Sequence, residues 1–125
     1  MSEEIGIVGL GPVGAATASI LSARGSAVRI AQRAAPSAMP AGASFVRCDA
    51  LDEKSARAAI AGLRQVVLAI GFPYVGALWR AAWPRAMTNF VEACAAEGAR
   101  LVFVDNLYMY GPQTAPLSET TPLTP

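Results

Sequence analysis

The feature that most constrains this chain is a short apolar run, Ile5-Gly6-Ile7-Val8, that ends in Gly9-Leu10-Gly11-Pro12-Val13-Gly14. A run that is apolar at every position, without alternation, reads as a parallel strand buried on both faces. The glycines restrict it further. G-x-G-x-x-G between a strand and a helix brings backbone N–H groups against the pyrophosphate of a dinucleotide, at the positive end of the helix dipole. Gly9 permits the tight turn, Gly11 lets the pyrophosphate approach the backbone, and Gly14 lets the helix lie close to the sheet. Pro12 and Val13 complete the loop and open the helix, and Pro12 suits a first-turn position.

The rest of the chain repeats the alternation of strand-length and helix-length patterns. A helix is expected over residues 12–24, with Gly25 at its C-terminal cap and Val13, Thr17, Ile20, Leu21 and Arg24 as a stripe whose apolar members face inward. Strands follow at 27–31, 44–48, 65–70 and 100–104. Between them lie a Pro/Ala/Ser/Gly loop at 34–43 and a helix over 53–61, capped by Asp52 and ended by Gly62. A longer helical pattern over 77–97 is expected to break or begin afresh at Pro84. The implied fold class is α/β, a doubly wound parallel sheet of about five strands in the order 3-2-1-4-5, with helices on both faces, the Rossmann arrangement. Residues 1–109 form the expected domain, and 110–125, rich in proline and without period, a loop or tail. Ligands of such sheets bind beyond the carboxyl ends of the strands, here between the first and fourth.

Composition removes several alternatives. The chain is 54% hydrophobic and 15% charged, which suits a globular domain. No apolar run reaches the ~18–20 residues of a membrane span, and the acidic start, Met1-Ser2-Glu3-Glu4, resembles no signal or transit peptide, so a cytoplasmic location is expected. With a net charge of +1 and scattered arginines, nothing suggests nucleic-acid binding. Histidine is absent, which removes His-based triads and the common zinc sites. Asp49 and Asp52 lack a third ligand nearby, so no metal site is expected. Cys48 and Cys94 are expected to be buried, reduced thiols.

The choice of dinucleotide turns on the end of the second strand. NAD-specific domains place an Asp or Glu there to hold the ribose hydroxyls. Between Glu4 and Asp49 this chain has no acidic residue, and the position falls at Gln32 or Arg33. An arginine can pair bidentately with a 2′-phosphate, which favours NADP over NAD.

Several longer stretches are similar to the extended short-chain dehydrogenases/reductases of the NAD(P)-dependent epimerase/dehydratase family. Val46-Arg47-Cys48-Asp49-Ala50-Leu51-Asp52 resembles their V-x-G-D-L-x-D segment, Thr88-Asn89-Phe90-Val91-Glu92-Ala93-Cys94 their T-x-N-L-L-E-A-A helix, and Phe103 to Pro112 with Pro116 to Pro122 their S-S-x-x-V-Y-G…E-x-x-P run, in the wording of an atypical subgroup. The resemblance implies that Asp49, with Ala50 beside it, adjoins the adenine and that Ala69, Ile70 and Gly71 pass the cofactor ribose. It further implies hydride transfer at a carbonyl or carbinol of a sugar-nucleotide-like substrate, and homo-oligomers built through helices near Trp79 and Trp83. The two tryptophans, four residues apart, are otherwise expected to pack in the core or an interface rather than to stack on substrate.

Two departures bear on activity. The family's catalytic Ser/Thr falls on Asn106, whose amide could still polarise a carbonyl. The family's Tyr-x-x-x-Lys pair is missing: Leu78, Pro112 and Thr114 stand four residues after Tyr74, Tyr108 and Tyr110. In full-length relatives the pair lies just beyond residue 125, with the sixth strand and the substrate region. The lysine lowers the tyrosine's pKa, and an unassisted phenol titrates near ~10. Asn106 and Tyr108 are the candidates for catalysis here. An oxidoreductase portion that ends before its proton donor and a non-catalytic dinucleotide-binding module that senses redox state or serves as a subunit both remain open. A hydroxyacid or ketopantoate-type reductase shares the glycine loop, but not the Asp49 segment or Tyr110-Gly111.

Overall fold

The computed structural model describes residues 3–124. Five parallel strands, β1 (Ile5–Val8), β2 (Val28–Gln32), β3 (Ser44–Arg47), β4 (Gln65–Leu68) and β5 (Arg100–Phe103), form one sheet in the order β3-β2-β1-β4-β5. The helices are α1 (Pro12–Ala23), α2 (Glu53–Ile60) and α3 (Gly76–Glu97), followed by a 3-10 turn at Tyr108–Tyr110. The Rossmann order is therefore the one the sequence implies, with strand ends shifted by a residue or two.

The pleat sends alternate residues to two cores. Val8, Ala31, Val66 and Leu68 pack with Ala56, Ala59 and Ile60 of α2 and Phe90, Ala93 and Cys94 of α3. Ile7, Val28 and Ile30 face the other way, where Ala18 of α1 closes on them and Leu10, Leu21, Phe45 and Val67 pack at the margin. Ile7 lies between Ile30 and Val67 in register, so the central strand is apolar on both sides because both sides are covered. At the amino-terminal edge Arg29 pairs with Glu4 and donates to the carbonyls of Ala59 and Ala61, which ties β2 to the end of α2.

Two local expectations give way to packing. The apolar residues Val13 and Ile20 do not face inward: they are half exposed, and α1 turns Gly14 and Ala18 to the sheet instead. Close approach of helix to strand selects the smallest side chains, which overrides the hydrophobic stripe. Pro84 does not break α3, which runs unbroken over 22 residues. A proline inside a helix costs about 3 kcal/mol through a lost hydrogen bond and a ring clash. The buried stripe of Ala82, Ala86, Asn89, Phe90, Ala93 and Cys94, lying largely beyond the proline, holds the helix to one axis. Asp52 caps α2 as expected, its carboxylate accepting from the Ser55 N–H at 2.8 Å.

Candidate functional site

The carboxyl ends of β1, β2, β3 and β4 open into a cavity of about 530 Å³, within the range of small-molecule sites. Gly9, Gln32, Arg33, Asp49, Ala50, Ala69, Ile70 and Gly71, from four separate segments, line it together. Gly11, Pro12, Val13 and Gly14 are not in its wall; they form the cap and first turn of α1, next to Gly9. Leu51, Phe72, Pro73 and Leu78, which the sequence did not mark for this site, add apolar wall.

The three loop glycines do different work. Gly9 has φ +92°, and a Cβ there would lie 2.6 Å from the Ala69 carbonyl oxygen, so both conformation and space require glycine. A Cβ on Gly14 would overlap the carbonyl oxygen of Gly9, which makes Gly14 the contact point of helix on loop. Gly11 differs from both. Its φ of −74° is ordinary, and a Cβ would meet nothing within 4 Å. The protein itself does not need a glycine there, whereas a ligand approaching the backbone would. No side chain caps α1 and no acidic residue lies in its first turn, so its leading N–H groups have no side-chain acceptor among the described residues.

Around this loop the side chains are mostly committed. Gln32 Oε1 accepts the Leu10 N–H at 2.9 Å, and its Nε2 donates to the Ala34 carbonyl at 2.9 Å. Its amide therefore clasps the glycine loop to the end of β2. Arg33, next in sequence, is exposed and makes no hydrogen bond or ion pair among the described residues. Asp49 folds its carboxylate onto the Leu51 N–H at 3.0 Å and donates its own N–H to Ser55 Oγ at 2.8 Å. Asn89, 7% exposed, donates from Nδ2 to the Ala50 carbonyl at 2.9 Å and fixes this wall to α3. The sequence offered a signal for Asn89, the family-like helix around it, but not its role. Burial pushes the Cys48 thiol up to about 11, so at neutral pH it is a protonated wall residue.

A second cavity, of about 220 Å³, shares Ile70, Gly71 and Phe72 with the first and extends to the carboxyl end of β5. Rings make up much of its wall. Tyr74 stacks on Trp79 at a centroid distance of 5.2 Å, and Trp83 meets Phe72 edge-on at 4.9 Å and Phe103 at 5.8 Å. Tyr74 and Tyr108 share a hydroxyl–hydroxyl hydrogen bond of 2.6 Å. Trp79 and Trp83 thus pack against each other and their neighbours, and they also line a cavity.

The two catalytic candidates stand in this wall. Asn106 Oδ1 accepts the Tyr108 N–H at 3.0 Å, which leaves its Nδ2 without a partner among the described residues. The hydrogen bond to Tyr74 raises the Tyr108 phenol above its ordinary value, away from neutral pH. Among the described residues no group of three or more His, Cys, Asp or Glu side chains is placed to hold a metal ion. No helix among them is long and apolar enough to cross a membrane.

Solved structures share this architecture. A short-chain dehydrogenase/reductase superfamily protein from Agrobacterium tumefaciens with bound NAD is 26% identical, covers 98% of this chain with 39% of its own, and superposes with a TM-score of 0.82. Uronate dehydrogenase from the same organism (23% identity, 99% of this chain, 49% of its own, TM-score 0.79) and UDP-glucose 4-epimerase (19%, 98%, 41%, 0.81) share the fold. The chain thus spans about two-fifths to one-half of these proteins. No curated protein sequence matches it. The sequence pattern of the NAD dependent epimerase/dehydratase family matches residues 5–125, and the chain belongs to that family.

Proposed function

We propose that the larger cavity binds a nicotinamide dinucleotide, NADP in preference to NAD, and that the chain is the cofactor-binding portion of an oxidoreductase acting on a carbonyl or carbinol. Gly11 carries the reading. It is a glycine that neither backbone conformation nor protein packing requires, facing open space at the start of α1. Bound there, such a cofactor supplies or accepts a hydride.

The chain's own residues bind and orient. The leading N–H groups of α1 hold the pyrophosphate, Asp49 and Ala50 flank the adenine, and Ala69 to Gly71 border the ribose. Arg33, free of any carboxylate partner among the described residues, pairs with a 2′-phosphate. Gln32 holds the loop rather than the ribose, since both ends of its amide are taken. Asn106 Nδ2 polarises a substrate carbonyl. Proton exchange falls to a Tyr-x-x-x-Lys pair outside these 125 residues, because Tyr108 is bound to Tyr74 and the single lysine, Lys54, lies on α2 and lines neither cavity. Residues 110–125 serve as the connection to the substrate region. The same reading places the protein in the cytoplasm, in keeping with free thiols at Cys48 and Cys94.

The absence of a lysine from both cavity walls also supports a second reading, a dinucleotide-binding module without catalysis of its own. Parallel calorimetric titrations with NADPH and NADH test what the two readings share. Micromolar NADPH binding, at least tenfold tighter than NADH and reduced to the NADH level by Arg33→Ala, is expected. Equal affinities unchanged by Arg33→Ala would overturn the preference, and no heat from folded protein with either nucleotide would overturn both readings.

A further inference from the structure

Given that the larger cavity takes the dinucleotide with Asp49 beside its adenine, we infer that Ser55 is the positioning residue of that end. It aims the Asp49 carboxylate at the base and so makes the site choose adenine over a 6-oxopurine, although Ser55 itself lines neither cavity. Hydrogen bonds close the segment from Asp49 to Ser55 on itself. The Asp49 N–H donates to Ser55 Oγ at 2.8 Å, and the Ser55 N–H donates to Asp52 Oδ1 at 2.8 Å. The Asp52 N–H returns to the Asp49 carbonyl at 3.1 Å, and the Leu51 N–H holds Asp49 Oδ1 at 3.0 Å.

The place of Ser55 in α2 makes its bond unusual. Asp52 is the N-cap, so Ser55 stands at the third helical position, where a Glu or Gln ordinarily reaches back to the N-cap N–H. Here the Asp52 N–H goes to Asp49, and the Ser55 hydroxyl crosses instead to the Asp49 N–H, just past β3. The same hydroxyl bonds the thiol of Cys48, a buried residue of the cavity wall. A hydroxyl can accept from the one and donate to the other. One side chain thus ties α2 to the two residues that begin the adenine wall.

The chemistry follows from what this turn leaves over. With Asp49 Oδ1 held by Leu51, the second carboxylate oxygen has no partner among the described residues, and Asp49 lines the cavity. A carboxylate only accepts. It suits the 6-amino group of adenine, a donor, and repels the 6-oxo group of hypoxanthine, an acceptor in the same place. Aim decides whether that difference is read, because a carboxylate free to turn treats the two bases alike. Asn89 anchors the next carbonyl, that of Ala50, but among the described residues only Ser55 bonds the Asp49 N–H.

Ser55→Ala keeps the backbone N–H that Asp52 caps and puts a good helix former in the first turn, so the variant should fold. Calorimetry then compares NADPH with reduced nicotinamide hypoxanthine dinucleotide phosphate on the full chain, in the parent, Ser55→Ala and Ser55→Thr. The parent should prefer NADPH about tenfold, a modest part of what a hydrogen-bonding site can discriminate. Ser55→Ala should bring that ratio below about threefold, mainly by weakening NADPH, and Ser55→Thr, which keeps the hydroxyl, should restore it. A lost helix contact alone would weaken both nucleotides by the same factor and leave the ratio where it was. A ratio that survives in Ser55→Ala, one that Ser55→Thr fails to restore, or a parent that binds both nucleotides equally would overturn the inference while the dinucleotide site stands. If the parent binds neither nucleotide, the dinucleotide reading falls and takes the inference with it, so the two failures are distinguishable.

Discussion

The two adjoining cavities are built on opposite principles. The larger is made by leaving atoms out: glycines and small residues let backbone come close to backbone and leave N–H groups free. The smaller is made by putting atoms in, with six rings from segments far apart in sequence leaning on one another. One site should therefore fail when a carbon is added, the other when carbons are removed. They also differ in what they demand of the fold, because glycine contacts fix where α1 sits, whereas Tyr74 and Tyr108 stand at an open rim.

The sharpest break of this contrast lies inside the glycine loop itself. Gly14→Val drives side-chain atoms into the Gly9 carbonyl and should lower stability by about 2–3 kcal/mol, as overpacking does, with dinucleotide binding lost. Gly11→Ala adds a methyl where the protein has open space, so its stability should stay within about 0.5 kcal/mol of the parent. Its dinucleotide affinity should nevertheless fall more than tenfold. Urea midpoints with parallel titrations check both, and equal stability losses would mean that the loop is one packing unit without a ligand-shaped gap.

What the sequence revealed follows the same division. The glycine loop, the Asp52 cap and the strand order are legible because each depends on residues close in sequence or on a general rule of parallel sheets. Gln32 is marked by its place at the end of β2, but its part as a clasp is not, since its partner Leu10 N–H lies 22 residues away. Of the expected apolar stripe Leu21 packs on the core, whereas Val13 and Ile20 stay half exposed because small residues at Gly14 and Ala18 take the contact with the sheet. The aromatic cavity left no periodic trace beyond the four-residue spacing of Trp79 and Trp83: its rings come from positions 72–74, 79–83 and 103–108 and meet only after β4, α3 and β5 are placed. Pro84 misled for a related reason, in that local propensity is weighed against a buried stripe whose partners belong to other elements.

Asn89 sharpens the comparison from the back of the larger cavity. It never touches the opening, yet its Nδ2 is the bond that fixes the Ala50 carbonyl. Asn89→Ala leaves that acceptor unpaired and should cost about 1–3 kcal/mol in a urea unfolding series. Dinucleotide affinity should fall with it, because Asp49 and Ala50 lose their anchor, while the aromatic cavity, which Asn89 does not line, should keep its packing. If affinity survives at full strength in the folded variant, the Asp49 turn is held by Ser55 and Leu51 alone.

The smallest expected effect is a pH dependence written into the floor of the larger cavity. Burial holds the Cys48 thiol protonated, up to about 11 against an ordinary value of 9.0, with Asp49 and Asp52 adding to the rise and the Ser55 hydrogen bond opposing it. Burial shifts Cys94 in the same direction. An unfolded chain releases these protons first, so between the two values the folded state holds more protons than the unfolded state. Stability from this source is thus complete below pH 9 and is lost as pH rises toward 11. Urea midpoints taken from pH 8 to 11 should decline over that window, and Cys48→Ala should make the decline shallower whatever it does to the midpoint at pH 8. An unchanged slope would mean that water reaches the thiol through the cavity. The space between Ala31, Cys48 and Ala69 would then be wetter than its small apolar walls imply, and the division between a site of omitted atoms and a site of packed rings would lose its physical basis.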